Sequence, residues 1–150
     1  RLAGALMSIQ SVKGVQIGDA YQQAASLGSS AQDEIIGLAN GHIERASNHA
    51  GGIEGGISNG SVLRVSAALK PISTVPRALR SVDLANGAAA TALHQRSDTC
   101  AVVPAAVIAQ AEVAMVLADA LLEKTGGDSL LEAKRNLAGY LEDVAERTNW

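Results

Sequence analysis

The chain has 150 residues, the size of one ordinary domain, and its 47% hydrophobic and 18% charged residues exclude intrinsic disorder. Twelve basic against fifteen acidic residues give a net charge of −3 without any run of Lys or Arg. This balance argues against a nucleic-acid surface and against an anionic-membrane surface. The single cysteine, Cys100, excludes a disulfide framework and a Cys-rich zinc site, and it fits a reducing cytoplasm.

The first third of the chain shows short, weakly marked elements. Apolar spacing predicts a helix over 2–11 and a short strand at Val15–Ile17. Asp19 is expected to cap a further helix that ends at Gly28. The stretch from Ser29 to Ser47 mixes polar residues and glycines without periodicity, so it is predicted to be mostly loop. The first residues read as the middle of a helix without a secretory leader pattern, and we expect a C-terminal piece of a longer polypeptide.

The middle of the chain combines glycine, proline and alternating apolar residues. The segment 48–60 is too rich in glycine for a helix, but it permits positive φ and close approach of the backbone to a ligand. A strand is predicted over Val62–Leu69, with Leu63 and every second residue after it on one face. Lys70–Thr74 then forms a turn that Pro71 and Pro76 keep out of helix and central strand. The Asn86–Gly87 pair predicts a hairpin.

Two helices are predicted at the end of the chain. The first starts near Pro104 and ends at Gly126–Gly127, and its apolar run, too short for a membrane span of about 20 residues, indicates a buried helix of a soluble protein. Cys100, just before it, is expected to be a small buried residue. The second begins with the capping-box pattern Ser129–Glu132. The element order indicates an α/β chain of the α+β type, with helices packed against antiparallel sheet, in a single domain over 1–150.

Three segments could carry chemistry, and each has a plain alternative. The glycine segment could cradle a phosphate or a flat ring, or it could be a surface loop; it matches neither a P-loop nor GxGxxG. Lys70–Thr74 could wrap an anion or a cofactor tail, or form an exposed turn. Arg96 and Asp98 could grip an anion and accept a proton, or act as a surface ion pair and a helix cap. His42, His49 and His94 lack metal-ligand spacing, so no metal site is predicted.

Read together, several blocks resemble the C-terminal part of chorismate synthase. In order they are SIQSVKGVQIGD, SNHAGGIEGGISNG, LRVSAALKPISTVPRAL, HQRSDTCAV and GGDSLLEAKRN. They cover nearly the whole chain, and the wording of the glycine loop and of LEKTGGDSLLE looks most like actinobacterial members. The resemblance implies the C-terminal part of a β-α-β sandwich.

The resemblance also implies a reaction and its partners. The family converts 5-enolpyruvylshikimate 3-phosphate into chorismate and phosphate by an anti 1,4-elimination in the shikimate pathway, with reduced FMN and no net redox change. Members are typically cytoplasmic homotetramers. From the charge balance we expect neither a nucleic-acid partner nor a membrane partner. The upstream half, which holds the family's two catalytic histidines and most substrate-binding arginines, is not in this chain, so we expect the fragment alone to be inactive.

Carried onto this sequence, the resemblance assigns three roles. Asp98 matches the aspartate that assists proton removal. Substrate binding is implied for Arg96 and Ser97. The cofactor contacts implied by the family motifs are Gln10, Ser11, Gly55, Lys70, Pro71, Ile72, Ser73, Thr74 and Arg96.

Two other readings of the whole chain compete with this one. The alanine-rich helices after Pro104 could serve mainly subunit packing, which would make the chain a non-catalytic FMN-binding or oligomerisation module. The chain could also be an unrelated protein that binds a nucleotide through its glycine loop. Binding of ATP or NAD in preference to FMN would favour that reading.

Overall fold

The structure is a computed structural model, and it describes residues 1–39, 42–96 and 98–147. Its helices are α1 (Leu2–Ser8), α2 (Ala20–Ala24), α3 (Gly28–Ala31), α4 (Val102–Thr125) and α5 (Leu130–Arg147). Its strands are β1 (Val12–Ile17), β2 (Ile35–Ala39), β3 (His42–Arg45), β4 (Ile53–Glu54), β5 (Ile57–Ser58), β6 (Val65–Leu69), β7 (Arg80–Val82) and β8 (Ala89–Thr91).

Within these described ranges, the strands pair two by two into antiparallel ribbons. Three ribbons are local, β2 with β3, β4 with β5 and β7 with β8, while β1 pairs with the distant β6. Helices and antiparallel strands follow one another without parallel βαβ units, so the α+β class predicted from the sequence is confirmed.

The small core lies where α1 crosses the β1–β6 ribbon. Leu6 of α1 is the most deeply buried side chain, with 1% of its surface exposed, and Val12 at the start of β1 is also buried. Strand β6 alternates as the sequence predicted, with Val65, Ala67 and Leu69 half-buried and the residues between them exposed. This alternation fixes the register of β6 against β1, because a slip of one residue would turn its apolar face outward.

The loop predicted over Ser29–Ser47 is wrong. Gly28, expected to end a helix, begins the short α3, and the strands β2 and β3 form an antiparallel ribbon after it. Isoleucine and leucine side chains on β2 and β3 remain exposed, so burial gives no alternating pattern. The sequence pair Asn40–Gly41 favours a two-residue hairpin and was the available signal, although these two residues lie outside the described ones.

The second half follows the sequence prediction closely. No regular element occurs between Lys70 and Leu79, the stretch that contains the two prolines. The β7–β8 ribbon then turns through Asn86–Gly87, where Gly87 has a φ of 73° that an L side chain would resist. The predicted hairpin is confirmed.

Helix α4 differs from its prediction in burial. Pro104 stands in its first turn and Gly126 follows its end, as predicted, but Ala105 is its one buried residue. The helix packs against α1 and α5, and these two neighbours are too few to enclose 24 residues. It is thus largely exposed in this chain, and by length and composition alone it would suffice to cross a membrane.

Helix α5 begins with a modified capping box. The Ser129 hydroxyl accepts a hydrogen bond from the Glu132 backbone N–H at 3.2 Å, as the pattern predicts. The Glu132 carboxylate reaches the backbone N–H of Asp128 at 3.0 Å instead of that of Ser129. Two donors at the helix start are satisfied in this way.

Candidate functional site

The glycine segment divides into a buried base and an exposed tip. At the base, Gly51 and Gly52 are buried against the backbone of other segments. A Cβ on Gly51 would lie 2.4 Å from the nitrogen of Gly18, and one on Gly52 would lie 2.7 Å from the Val62 carbonyl oxygen. Both have positive φ. Glycine is therefore required here for packing of backbone on backbone, and this part of the segment is not open to a ligand.

The carboxylate of Asp33 holds the residues at the start of this base in place. It accepts hydrogen bonds from the Ser47 hydroxyl at 2.6 Å and from the backbone N–H groups of His49 and Ala50 at 2.7 and 2.9 Å. Burial opposes ionisation of Asp33, but the Ser47 hydroxyl and the two N–H groups outweigh it, so the pKa of this carboxyl lies below its ordinary value. Asp33 is therefore a negative anchor for residues 47–50.

Asp19 ties the same base to β1 and β6. Its carboxylate pairs with the His49 imidazole and with the Arg64 guanidinium, each at 2.9 Å. The hydrogen bond with His49 and that from Arg64 lower the pKa of Asp19 below its ordinary value. Asp19 was predicted to cap α2, but its side chain makes no cap bond there. The correction has a simple cause, because a cation and an imidazole outcompete the N–H groups of a five-residue helix.

Asn48 completes the base. Its side-chain oxygen accepts from the Gly52 N–H at 2.7 Å, and its side-chain nitrogen donates to the Val62 carbonyl at 2.9 Å. Sequence reasoning missed the roles of Asp19, Asp33 and Asn48, which we call the anchor residues. A local signal was available for Asn48 alone, because a short amide side chain just before a pair of glycines commonly hydrogen-bonds the backbone of that turn.

The exposed tip is a tight hairpin turn at Gly55–Gly56. The φ values of these residues are 59° and 80°, and the Glu54–Ile57 pair closes a two-residue turn of type I′. No atom lies within 4 Å of a Cβ built on Gly55, beyond its own chain neighbours. Glu54, next to the tip, pairs with the Arg45 guanidinium at 2.7 Å, so the hairpin is tied to β3. Gly55 therefore offers an open, firmly held backbone.

Gln10 and Ser11 form the turn between α1 and β1, and Ser11 meets the Lys70 segment directly. Ser11 has a φ of 71°, the one positive value among described residues other than glycine. Its carbonyl oxygen accepts a hydrogen bond from the Lys70 backbone N–H at 2.8 Å. Such strain in a non-glycine residue persists only where the surroundings hold it, and it is frequent at functional sites.

A shallow cleft of about 150 Å³ follows the Lys70 segment. One wall contains Ser73 and Thr74, and the opposite wall contains residues 92, 93 and 95. Arg77 also lines the cleft, and none of the lining residues, all of them described, carries a carboxylate. Hydroxyl, amide and guanidinium donors beside apolar side chains can hold an anion and a flat ring together.

Arg96 and Asp98 follow this cleft along the chain. Both are exposed, and Ser97 lies outside the described residues. Cys100 was predicted to be buried, but it is exposed, in the irregular stretch 98–101 that leads into α4. Its sulfur accepts a hydrogen bond from the Val102 N–H at 3.4 Å.

The structure thus brings together part of the set of residues assigned from the sequence. Ser11 joins Lys70 through a hydrogen bond, and Ser73 and Thr74 share a cleft with Gln95, the residue before Arg96. Gly55 stands apart at its hairpin tip. In the part of the chain that is described, no group of three or more His, Cys, Asp or Glu could hold a metal ion.

Comparison with known proteins defines the class. The family model described as chorismate synthase matches residues 1–122. Curated proteins named chorismate synthase from the actinobacteria Beutenbergia cavernae and Corynebacterium jeikeium are 61% and 59% identical to the chain, over 98% and 100% of it. A crystal structure of chorismate synthase superposes with a TM-score of 0.76 at 40% identity over 97% of the chain.

The chain therefore belongs to the chorismate synthase family, as the ordered sequence blocks predicted, and the family is one of enzymes. It spans little more than a third of its relatives, 37% of the Beutenbergia protein and 36% of both the Corynebacterium protein and the solved structure.

Proposed function

We propose that this chain is the C-terminal portion of a chorismate synthase and forms the cofactor-facing wall of its active site. The whole enzyme would be a lyase that eliminates phosphate from 5-enolpyruvylshikimate 3-phosphate to give chorismate, with reduced FMN. One observation carries the assignment to this wall. The segment that begins at Lys70 meets two distant parts of the chain: its first residue is hydrogen-bonded to Ser11, and Ser73 and Thr74 line a cleft with Gln95, the residue before Arg96.

The donors on these segments fit an anionic, ring-bearing ligand. Lys70 and Arg96 are exposed cations, and the Ser73 and Thr74 hydroxyls flank a cleft that holds no carboxylate among its described lining residues. We assign to them, with Gln10, the orientation of the phosphate tail and the ring. Pro71 and Ile72 would give the loop its stiffness and an apolar contact. Bound reduced FMN would supply electron density to the reacting allylic system without net oxidation.

Asp98 is proposed as the group that assists proton removal. A carboxylate performs this task within hydrogen-bond reach of the proton, in a site from which water is largely excluded. In this chain Asp98 is exposed. The upstream part of the polypeptide would have to cover it, and Ser97 and Arg96 would hold the substrate beside it. For the same reason we expect this chain alone to bind FMN without converting the substrate.

The first test is a fluorescence titration of FMN with this chain, with and without 5-enolpyruvylshikimate 3-phosphate. We expect saturable quenching, weakened at least about ten-fold by Lys70→Met, since a charge-assisted contact contributes about 1.5–3 kcal/mol. Lys134→Met is the matched control, because Lys134 is an exposed lysine on α5, which contributes no residue to the cleft. Equal weakening by both substitutions, or no binding by a folded chain, would refute this assignment.

The second test concerns Asp98 in the full-length enzyme that carries this segment. Asp98→Asn should lower kcat at least about 100-fold while the dissociation constant of FMN changes less than about three-fold. Unaltered turnover would contradict the proposed role.

Helix α4 supports a complementary role in assembly. It is alanine-rich and exposed, and small side chains allow close approach of helices. We propose that the intact protein is a cytoplasmic homotetramer and that α4 contributes to its packing. Sedimentation equilibrium of this chain at high concentration tests the packing role, and a strictly monomeric species would remove its support.

A further inference from the structure

One side chain joins the two walls of the cleft. The Nδ1 atom of His94 lies 3.0 Å from the Val75 carbonyl oxygen. Val75 directly follows Thr74 at the end of the Lys70–Thr74 segment, and His94 stands two residues before Arg96. A bond between these two points therefore couples two segments that have separate roles in the proposed site.

The partner of His94 fixes which ring nitrogen carries the proton. A backbone carbonyl oxygen accepts and never donates, so Nδ1 must be the donor. In the neutral ring this leaves Nε2 as an acceptor, the tautomer that the hydrogen bond selects.

The backbone cannot make this connection by itself. The β7–β8 ribbon pairs as far as Arg80–Thr91, and one more bond, from the Ala92 N–H to the Leu79 carbonyl at 2.9 Å, extends it toward the cleft. Pro76 has no N–H and cannot continue such a ladder. Beyond the end of the ribbon, the His94 side chain holds the loop against the segment that leads to Arg96.

We propose that His94 is a positioning residue, which clasps the Lys70–Thr74 loop to the segment carrying Arg96 and Asp98. This inference rests on the proposed function, because it assumes that the loop binds FMN and that Asp98 serves the reaction. His94 acts through Val75 and needs no contact with either ligand. Its consequence is that the hydrogen bond from His94 to Val75 helps to set the spacing between the cofactor loop and the proton acceptor.

The binding test compares His94→Asn with His94→Leu in this chain. The Nδ2 atom of asparagine can donate from nearly the position of Nδ1, whereas leucine has similar bulk and no donor. We expect the dissociation constant of FMN to rise about five- to ten-fold for leucine and less than about two-fold for asparagine, the effect of one hydrogen bond. Equal effects in the two variants, or no effect in either, would overturn the proposal.

A second measurement is independent of FMN. Nitrogen-15 NMR should find the proton of neutral His94 on Nδ1, and exchange of the Ala92 amide should quicken about five-fold in His94→Leu but not in His94→Asn. A proton on Nε2 with unchanged exchange would overturn the clasp. If the wild-type chain bound no FMN, the proposed function and the role of the clasp in it would be refuted. A proton on Nδ1 would in that case still support the clasp as a structural contact.

Discussion

Two glycines with nearly the same φ should respond very differently to substitution by alanine. Gly51 and Gly55 have φ values of 62° and 59°, so a Cβ meets about the same local strain at each, about 1–2 kcal/mol. Their surroundings differ. A Cβ at Gly55 meets no atom within 4 Å, whereas one at Gly51 would lie 2.4 Å from the Gly18 nitrogen and 2.8 Å from the Arg64 carbonyl oxygen.

The additional cost at Gly51 can be worked from the contacts that must move. Separating the segments weakens the hydrogen bonds from Gly18 to the Arg64 carbonyl at 2.8 Å and from Arg64 to the Gly51 carbonyl at 3.0 Å. Each contributes about 1 kcal/mol, and overpacking a filled site adds about 1–3 kcal/mol. Gly51→Ala should therefore destabilise the chain by about 4–7 kcal/mol in total, against about 1–2 kcal/mol for Gly55→Ala.

Urea unfolding followed by circular dichroism measures the free energy of unfolding of each variant. We expect the two variants to share the same slope of that free energy against urea concentration. Because the strain is shared, the difference between the two variants isolates the packing of backbone on backbone. Equal destabilisation by the two substitutions would refute the division of the glycine segment into a buried base and an open tip.

The remaining predictions concern the anchors and caps. Asp33→Asn should cost about 1–3 kcal/mol at pH 7, where its hydrogen bonds are complete. Because its pKa is lowered on folding, the stability it confers is present above the ordinary value of 3.8 and is lost as pH falls through the folded-state pKa. Thermal unfolding measured from pH 7 to 3 should thus show that Asp33→Asn loses less stability on acidification than the wild-type chain. Parallel plots of stability against pH for the two chains would contradict this. Ser129→Ala should lower stability by about 1 kcal/mol in urea, and an unchanged midpoint would show that the cap is unimportant. Glu54→Leu, which strips Arg45 of its partner, should destabilise more than Glu54→Gln, and the reverse order would contradict the ion pair.

Local signals predicted the second half of the fold well. The prolines of the Lys70 segment, the glycine after α4 and the alternation of β6 each act within a few residues, so the sequence displays them. The β2–β3 ribbon escaped because its apolar residues remain exposed and burial imposes no period on them. Exposure of α4 could not be foreseen either, since an apolar helix looks the same whether or not its neighbours are present.

The residues of the site also divide into those that local sequence signals reveal and those that only the fold reveals. Lys70 and Arg96 stand out as cations beside turns, and the ordered motif blocks pointed to them. The anchors Asp19 and Asp33 depend on partners 30–45 and 14–17 residues away, and such pairing is invisible without the fold. His94 belongs to this second group, because its partner Val75 offers a backbone atom that no residue pattern marks.

The isolation of the β7–β8 ribbon has a consequence for how the chain opens. The residues of its two strands are exposed apart from a half-buried Ala90, and a two-stranded ribbon of this kind has little stability of its own. The β1–β6 ribbon, in contrast, is held by the buried Leu6 and Val12. Amide exchange should therefore separate into a slow unit at β1–β6 and a fast unit at β7–β8 that opens without global unfolding. A ligand that bridges the two units stabilises the closed ribbon by mass action and slows amide exchange in β7–β8. Exchange in this ribbon would therefore measure how far the cleft is occupied.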